Sequence, residues 1–402
     1  MRTEVVRGEK HPLPAACAAE NAGRLLDTAV RLIARPSPTG SAGAAADEVG
    51  AVLTEDGFHV ERPVGGHAAA PAVVARLSSG RPGRTLRFNG HLDTVHLPFV
   101  PPKVTGDRLT GSGSADMKGG IAAAVEALRV VRDSGGLSGG GILLTARDLH
   151  ENPWGDGSQL DRLLAEGHVG NAVLLPEYFN AALPAIGRGG FIWSATVRRP
   201  SPPIHEVNRP NEPSVIATGA ELVARLGRLD AELSRESHPL AGAASAFVGT
   251  IQSGSIYNEF PQTCRLEGTR RWLPGTRFAD ADRQFRDLCA DLAAESGTVI
   301  EVETRLMKDA FRLDTADPFV GVFQSAYSTL VGEKLPIGGK PFVDDGNSFW
   351  SAAGIPAITH GPTAGGAHTT AEWANVDDLV RVARLYALVA TMYCPNPPGG
   401  ES

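Results

Sequence analysis

The segment Phe88-Asn89-Gly90-His91-Leu92-Asp93-Thr94-Val95 decides how the rest of the chain is read. It continues a short β-type run, Thr85-Leu86-Arg87-Phe88, and places an imidazole and a carboxylate two residues apart where a strand should end. In extended backbone, residues i and i+2 project to the same side, so Asp93 is placed to orient the His91 ring. A metal-ligating histidine commonly has such a partner on its other ring nitrogen. A lone His-x-Asp is equally compatible with a structural histidine, because ligation needs convergent partners. Those partners must come from elsewhere in the chain.

Outward from this segment, apolar residues at helical spacing predict helices over 21–34 and 44–53, with Pro36 stopping the first. Strands are expected at 72–77 and 85–88, and a helix over 117–131, just after Asp116. The short apolar runs 141–145 and 172–175 read as buried strands. Strands alternating with helices indicate an α/β sheet covered on both faces. Near Gly189 the character changes. Residues 191–197 alternate like a strand with one wet face, and β-like runs at 246–253, 263–272 and 298–304 are interleaved with helices over 214–229 and 277–296. This describes an α+β module with an antiparallel sheet. The α/β pattern returns with a helix at 318–331, a strand at 357–359 and a final helix at 376–392. The expected organisation is a catalytic domain in two parts, 1–188 and 307–402, interrupted by an inserted domain at 189–306. The Pro/Gly-rich tail 394–402 reads as disordered.

At 402 residues the chain exceeds what one core usually supports. Its 42% hydrophobic and 21% charged content is that of an ordinary globular protein. A net charge of −7 without a basic block argues against nucleic acid as a partner. No run approaches the apolar length of a membrane span, and residues 1–10 are charged, without an apolar signal core. These features suggest a cytoplasmic protein. Cys17, Cys264, Cys289 and Cys394 have neither disulfide-framework nor zinc-knuckle spacing and read as buried thiols.

Five positions share one pattern, a metal-type side chain beside glycine, at the end of a strand. They are His91; Asp116 in Gly113-Ser114-Ala115-Asp116-Met117-Lys118-Gly119-Gly120; the cluster Asp148-Leu149-His150-Glu151; Glu177 after Val173-Leu174-Leu175-Pro176; and His368 in Gly366-Ala367-His368. Each alone has an ordinary explanation, such as a helix N-cap for Asp116 or a loop carboxylate for Glu177. Together, hard carboxylates and imidazoles without thiolates suit a hydrolytic zinc, cobalt or manganese site.

Gly90-His91-Leu92-Asp93-Thr94-Val95, Ser114-Ala115-Asp116-Met117-Lys118-Gly119-Gly120, Gly354-Ile355-Pro356, Gly361-Pro362 and His368-Thr369-Thr370-Ala371-Glu372 occur in that order. The chain, from about residue 21 to 389, thereby resembles the co-catalytic metallohydrolases that include aminoacylase, carboxypeptidase G, carnosinase-type dipeptidases, acetylornithine deacetylase and succinyl-diaminopimelate desuccinylase. The resemblance implies a zinc-peptidase-like mixed α/β sheet flanked by helices, with an inserted α+β lid or dimerisation domain. It implies two divalent ions, zinc first, bridged by Asp116, with His91 and Glu177 completing one site and His368 the other. It makes Asp93 the buttress of His91. In the inserted domain it makes His205 the group that polarises the scissile carbonyl, often from a partner subunit, with Asn258, Arg271 and the Gly361 loop as substrate contacts. A homodimer through the inserted domain is expected.

The family normally carries Asp-Glu-Glu after the central strand, its first Glu a general base and its second a metal ligand. Here Arg147-Asp148-Leu149-His150-Glu151-Asn152 stands instead. Counting from the strand puts Asp148 at the base position and Leu149 at the ligand position. Counting back from Gly155-x-Gly157 makes Glu151 the base and Asn152 the ligand. Reading His150-Glu151 as the replaced pair makes Glu151 the ligand and leaves histidine as the base. The favoured expectation is Glu151 as base with His150 as a substitute ligand.

The expected activity is hydrolysis of an amide bond in an N-acyl amino acid or small dipeptide-like, carboxylate-bearing substrate, using metal-activated water and a carboxylate base. The alternatives are a dipeptidase or carboxypeptidase of the same family, or a scaffold repurposed for binding or non-hydrolytic chemistry, which the altered Glu-Glu motif motivates.

Overall fold

The computed structural model describes residues 20–395, so Cys17 and positions 396–402 of the expected disordered tail lie outside the described residues. Cys394, which that expectation included, is buried, and its sulfur donates to the Gly141 carbonyl at 3.1 Å. Cys264 and Cys289 are likewise buried free thiols.

Two compact units form. One takes in residues up to 181, 316–336 and from 355 onward; the other comprises 182–315 and 337–354. The first is built on a six-stranded sheet in the order Val60–Glu61, Val73–Ser78, Gly141–Arg147, Thr85–His91, Ala172–Leu175, Ala357–Thr359. The first two pairings are antiparallel and the remaining three parallel, so the sheet is mixed. The strands at 85–91, 141–147 and 172–175 are buried almost throughout, as strands covered on both faces must be. Because these three run parallel, their carboxyl ends lie side by side, where open α/β sheets place ligands.

Helices Glu20–Ile33, Lys118–Asp133 and Val376–Tyr393 pack with one another in this unit. The Lys118–Asp133 helix is nearly all buried, and its small residues permit a close approach. A Cβ at Gly120 would lie 1.8 Å from the Pro176 carbonyl oxygen, so only glycine lets this helix reach the backbone that carries Glu177. Gly361 is constrained in the same way, since its Cβ would fall 2.0 Å from the Glu177 carbonyl oxygen.

In the second unit, strands Ser245–Ser253, Thr263–Trp272, Gly189–Arg198 and Val299–Lys308 form an antiparallel sheet in that order. Helices Val215–Leu233 and Phe278–Ser296 cover one face around Phe191, Trp193, Leu222, Trp272 and Phe285. The alternating burial along Gly189–Arg198 is that of a sheet with one wet face. A smaller sheet, Phe311–Arg312, Leu183–Gly187 and Ile337–Lys340, belongs to the same unit, which therefore extends beyond the 189–306 segment suggested by the sequence.

The sequence reading did not foresee the helices Ser158–Ala165 and Asp345–Ala353. The second begins in Asp344-Asp345-Gly346-Asn347, turn-like in composition, yet Asp344 and Asn347 form a reciprocal capping box there. Among the described residues no helix is long and apolar enough to cross a membrane.

Candidate metal centre

Four loops at the carboxyl ends of the central strands bring the predicted groups of the first unit together. His91 is fully buried at the last position of its strand. Its Nε2 lies 3.0 Å from Asp116 Oδ1 and 3.8 Å from Glu177 Oε1. Asp116 reaches the other way through Oδ2 to His368 Nε2, at 3.3 Å. The same His368 nitrogen lies 3.2 Å from Glu151 Oε2. Asp116 is therefore not the N-cap of the following helix. That place is taken by Met117, while the Asp116 carboxylate stands between two imidazoles.

Two sets of donor atoms converge within 4.8 Å: His91, His150 and Glu177, and His91, Asp116 and Glu151. The His150 ring stacks on His91 at a centroid distance of 4.0 Å and 4° between planes. Arg147 Nη2 lies 3.3 Å from His150 Nδ1. Leu149 has a left-handed φ of 64°, unusual for a branched side chain, and this turn in the backbone separates Asp148 from the pair that follows.

Asp148 itself is consumed structurally. Its carboxylate accepts from the backbone N–H of Gly40, Ala42 and Leu149 at 2.9, 2.9 and 2.6 Å, and lies 3.1 Å from His67 Nε2. A carboxylate so occupied is no general base, and the register that puts Asp148 there fails.

Asp93 differs from expectation in detail. His91 Nδ1–H donates to the backbone carbonyl of Asp93 at 2.9 Å, with the carboxylate more distant at 3.6 Å. The Asp93 side chain is drawn elsewhere: Oδ2 accepts from the backbone N–H of both His150 and Glu151, each at 2.9 Å. Asp93 thus ties the His91 strand end to the His150–Glu151 loop. With Nδ1 donating, Nε2 is the nitrogen that faces the carboxylates.

Glu372 closes the His368-Thr369-Thr370-Ala371-Glu372 motif, and nothing in its sequence setting assigns it a role. Its carboxylate accepts from the backbone N–H of Gly113, Ala115 and Asp116 at 2.7, 3.1 and 2.7 Å, and so holds the loop that presents Asp116. Burial pushes its pKa up to about 7 against those hydrogen bonds. Tyr178, beside Glu177, was also missed; burial, then the field of Asp116, Glu177 and Glu151, raises its pKa.

The charge balance tests whether cations fit. Asp116, Glu151 and Glu177 are three buried carboxylates within one cluster. Burial opposes charge on both Asp116 and His91, yet Asp116 is held below the usual carboxylate range by His368 and His91, and His91 is held well above the usual imidazole range by Asp116 and Glu177. His368 is raised to about 10 by Asp116 and Glu151. Every imidazole so shifted is drawn into a cationic role by surplus negative charge, and a donor set of this kind suits divalent metal.

In the second unit, the strand pair Ile204–His205 and Glu259–Phe260 brings two predicted residues together, with Asn258 Nδ2 2.9 Å from His205 Nε2. His205 Nδ1 accepts from the Val207 N–H. Arg271 lies on the Thr263–Trp272 strand, its pKa lowered by burial and then by Arg188, a neighbouring guanidinium that sequence reasoning did not select.

Carboxylates and imidazoles convergent at the strand ends of a mixed α/β sheet define a site suited to divalent metal and metal-assisted hydrolysis. Comparison with known proteins narrows the class. Residues 87–392 match the profile described as Peptidase family M20/M25/M40, and the chain belongs to that family. A succinyl-diaminopimelate desuccinylase of Methylorubrum populi is 29% identical over 389 residues, covering 90% of this chain and 96% of the relative. Among solved structures, a Staphylococcus aureus tripeptidase superposes with a TM-score of 0.79 at 19% identity, covering 92% of this chain and 98% of that one. A dinuclear metal-binding M20 peptidase of Bacillus subtilis gives 0.70 at 14% identity, covering 93% and 98%. At such identities these structures speak for the fold.

Proposed function

We propose that the protein hydrolyses the amide bond of an N-acyl amino acid, using two divalent ions, zinc first, bridged by Asp116. The observation that carries this reading is the placement of the Asp116 carboxylate between His91 and His368, with Glu177 and Glu151 beside them. His91 and Glu177 would hold one ion and His368 the other, with His150 a candidate ligand through its place beside His91 and Glu177. Ligation through His150 Nδ1 requires release of Arg147. When bound, such ions acidify water and polarise a carbonyl oxygen.

Glu151 takes the proton of the attacking water and returns it to the departing amine, a role suited to a carboxylate held by its backbone on Asp93. His205 would donate to the developing oxyanion through Nε2–H once the Asn258 amide nitrogen, 2.9 Å from that atom, moves aside, with Nδ1 held by the Val207 N–H. Arg271 and Asn258 of the second unit, and the Gly361 loop of the first, are each a proposed contact for the substrate carboxylate, and the guanidinium suits a bidentate grip. The desuccinylase name of the 29% identical relative favours deacylation over dipeptide cleavage.

The second unit serves as lid and dimerisation domain. Strand Ser245–Ser253 is paired on one side only and exposes Phe247 and Ile251, an edge suited to pairing with a second copy of the chain. We assign the protein to the cytoplasm. The test is turnover of N-acyl amino acids and dipeptides by the zinc-loaded protein. Hydrolysis of the former that Asp116→Ala abolishes, with the fold retained, supports the reading. Full activity in that variant defeats it.

A further inference from the structure

The loops after strands Thr85–His91 and Gly141–Arg147, the second of which carries Glu151, also meet through His96 and Trp154. The rings of His96 and Trp154 stack there, centroids 4.4 Å apart and planes within 12°. His96 is anchored from behind, its Nε2 lying 3.0 Å from the Thr39 carbonyl oxygen. Trp154 sits three residues after Glu151, in a turn closed by the Gly155 N–H donating to the Glu151 carbonyl at 2.6 Å and the Gly157 N–H donating to Leu149 at 2.8 Å. The turn fixes the backbone of Trp154 relative to that of Glu151, and the His96 ring holds one face of the indole.

Trp154 contributes little to the core. It is 45% exposed, and Leu97 and Phe99, which follow His96 in the same loop, are 45% and 41% exposed. These open apolar side chains lie on the loop that follows His91 and the loop that carries Glu151, where they are available to a bound group. The charge on these loops narrows that group. Residues 94–102 and 148–157 contain no lysine or arginine, and the second loop carries Asp148, Glu151 and Asp156. The Arg147 guanidinium reaches the second loop but is fully buried and donates to the Asp148 carbonyl, so an anionic substituent would meet no exposed lysine or arginine within 94–102 or 148–157, whereas a flat apolar one would find a ring face.

The sheet order supplies direction. The shelf follows the strands at 85–91 and 141–147, the Glu177 loop follows the next strand, and Gly361 follows the strand beyond it, at the far edge. If the substrate carboxylate is held at the Gly361 side, as the proposed function has it, the acyl group extends from the metal centre toward Trp154.

We propose that Trp154, backed by His96, is the specificity wall for the acyl group, and that it selects aromatic acyl groups over acetyl and over acyl groups ending in a carboxylate. This rests on the deacylase reading. The test uses the full-length, zinc-loaded protein with N-benzoyl, N-acetyl and N-succinyl derivatives of one amino acid. The benzoyl derivative should have the highest kcat/KM. Trp154→Ala should lower the benzoyl-to-acetyl ratio of kcat/KM about tenfold, mainly through KM, as expected for loss of one stacked ring and its buried area. Trp154→Phe should restore most of it. An equal loss on all three substrates, or a wild-type preference for the succinyl derivative, overturns the proposal. If none of the three is hydrolysed, the deacylase reading fails by itself, and equilibrium dialysis then decides the shelf. Tighter binding of the benzoyl than of the acetyl compound, with the difference lost in Trp154→Ala, sustains it; equal binding removes it.

Discussion

The Glu372 carboxylate receives the backbone N–H of Asp116 at 2.7 Å, while the Asp116 side chain stands between His91 and His368. A carboxylate that touches neither imidazole thus fixes the backbone from which the central carboxylate projects. Glu372→Gln replaces one acceptor oxygen with a donor facing backbone N–H groups. Metal affinity, measured by competition with a chromophoric chelator, should fall roughly 10- to 100-fold, the usual cost of losing such outer support. Circular dichroism should show the fold retained. Unchanged affinity would reduce Glu372 to a loop anchor.

Glu151 and His150 separate by two measurements on each variant. Glu151→Gln should retain its metal ions and lose activity by roughly 10²- to 10⁴-fold, the usual scale for a general acid–base group. Loss of one ion per chain would instead make Glu151 a ligand. His150→Ala should lower metal content, because His150 lies with His91 and Glu177 among convergent donors. Full metal content in that variant would remove His150 from the ligand set.

Asp148 is predicted to matter for stability rather than chemistry. Asp148→Ala would leave the N–H groups of Gly40, Ala42 and Leu149 without their acceptor, the first and last partly buried and that of Ala42 fully buried. Urea unfolding should show a loss of about 2–4 kcal/mol, the scale of several stranded hydrogen-bond donors. The folded fraction should keep its metal.

Glu48 gives a pH dependence with a definite sign. Burial raises its pKa, but hydrogen bonds from Arg31 and Arg35 outweigh burial and hold it below the ordinary carboxylate value. A folded-state pKa below the unfolded one adds stability above the unfolded pKa, about 4.3, and that stability disappears as pH falls through the folded value. Wild type should exceed Glu48→Gln in unfolding free energy at pH 7, and the gap should close in acid. A gap independent of pH would show that ionisation of Glu48 is not its source.

Much of the fold was legible because buried parallel strands and amphipathic helices have distinct periods. The runs at 263–272 and 357–359 have the bounds of the strands they form. His91, Asp116, Glu177 and His368 were readable as candidates because each follows a strand or flanks glycine, and the structure places them in one cluster. The 148–151 register was not readable. It turns on a left-handed Leu149 and on acceptors for Gly40 and Ala42, more than a hundred positions away, and neither leaves a local pattern. Glu372 escaped for the same reason, since its partners at 113–116 are joined to it only through the fold.

The central claim is a two-ion site bridged by Asp116, and metal content per chain tests it most directly. Protein purified without chelator or affinity-tag metal should carry about two zinc-like ions per chain by elemental analysis, and Asp116→Ala, still folded, should carry neither at full occupancy. No bound ion, and no uptake when zinc, cobalt or manganese is supplied, would contradict the account.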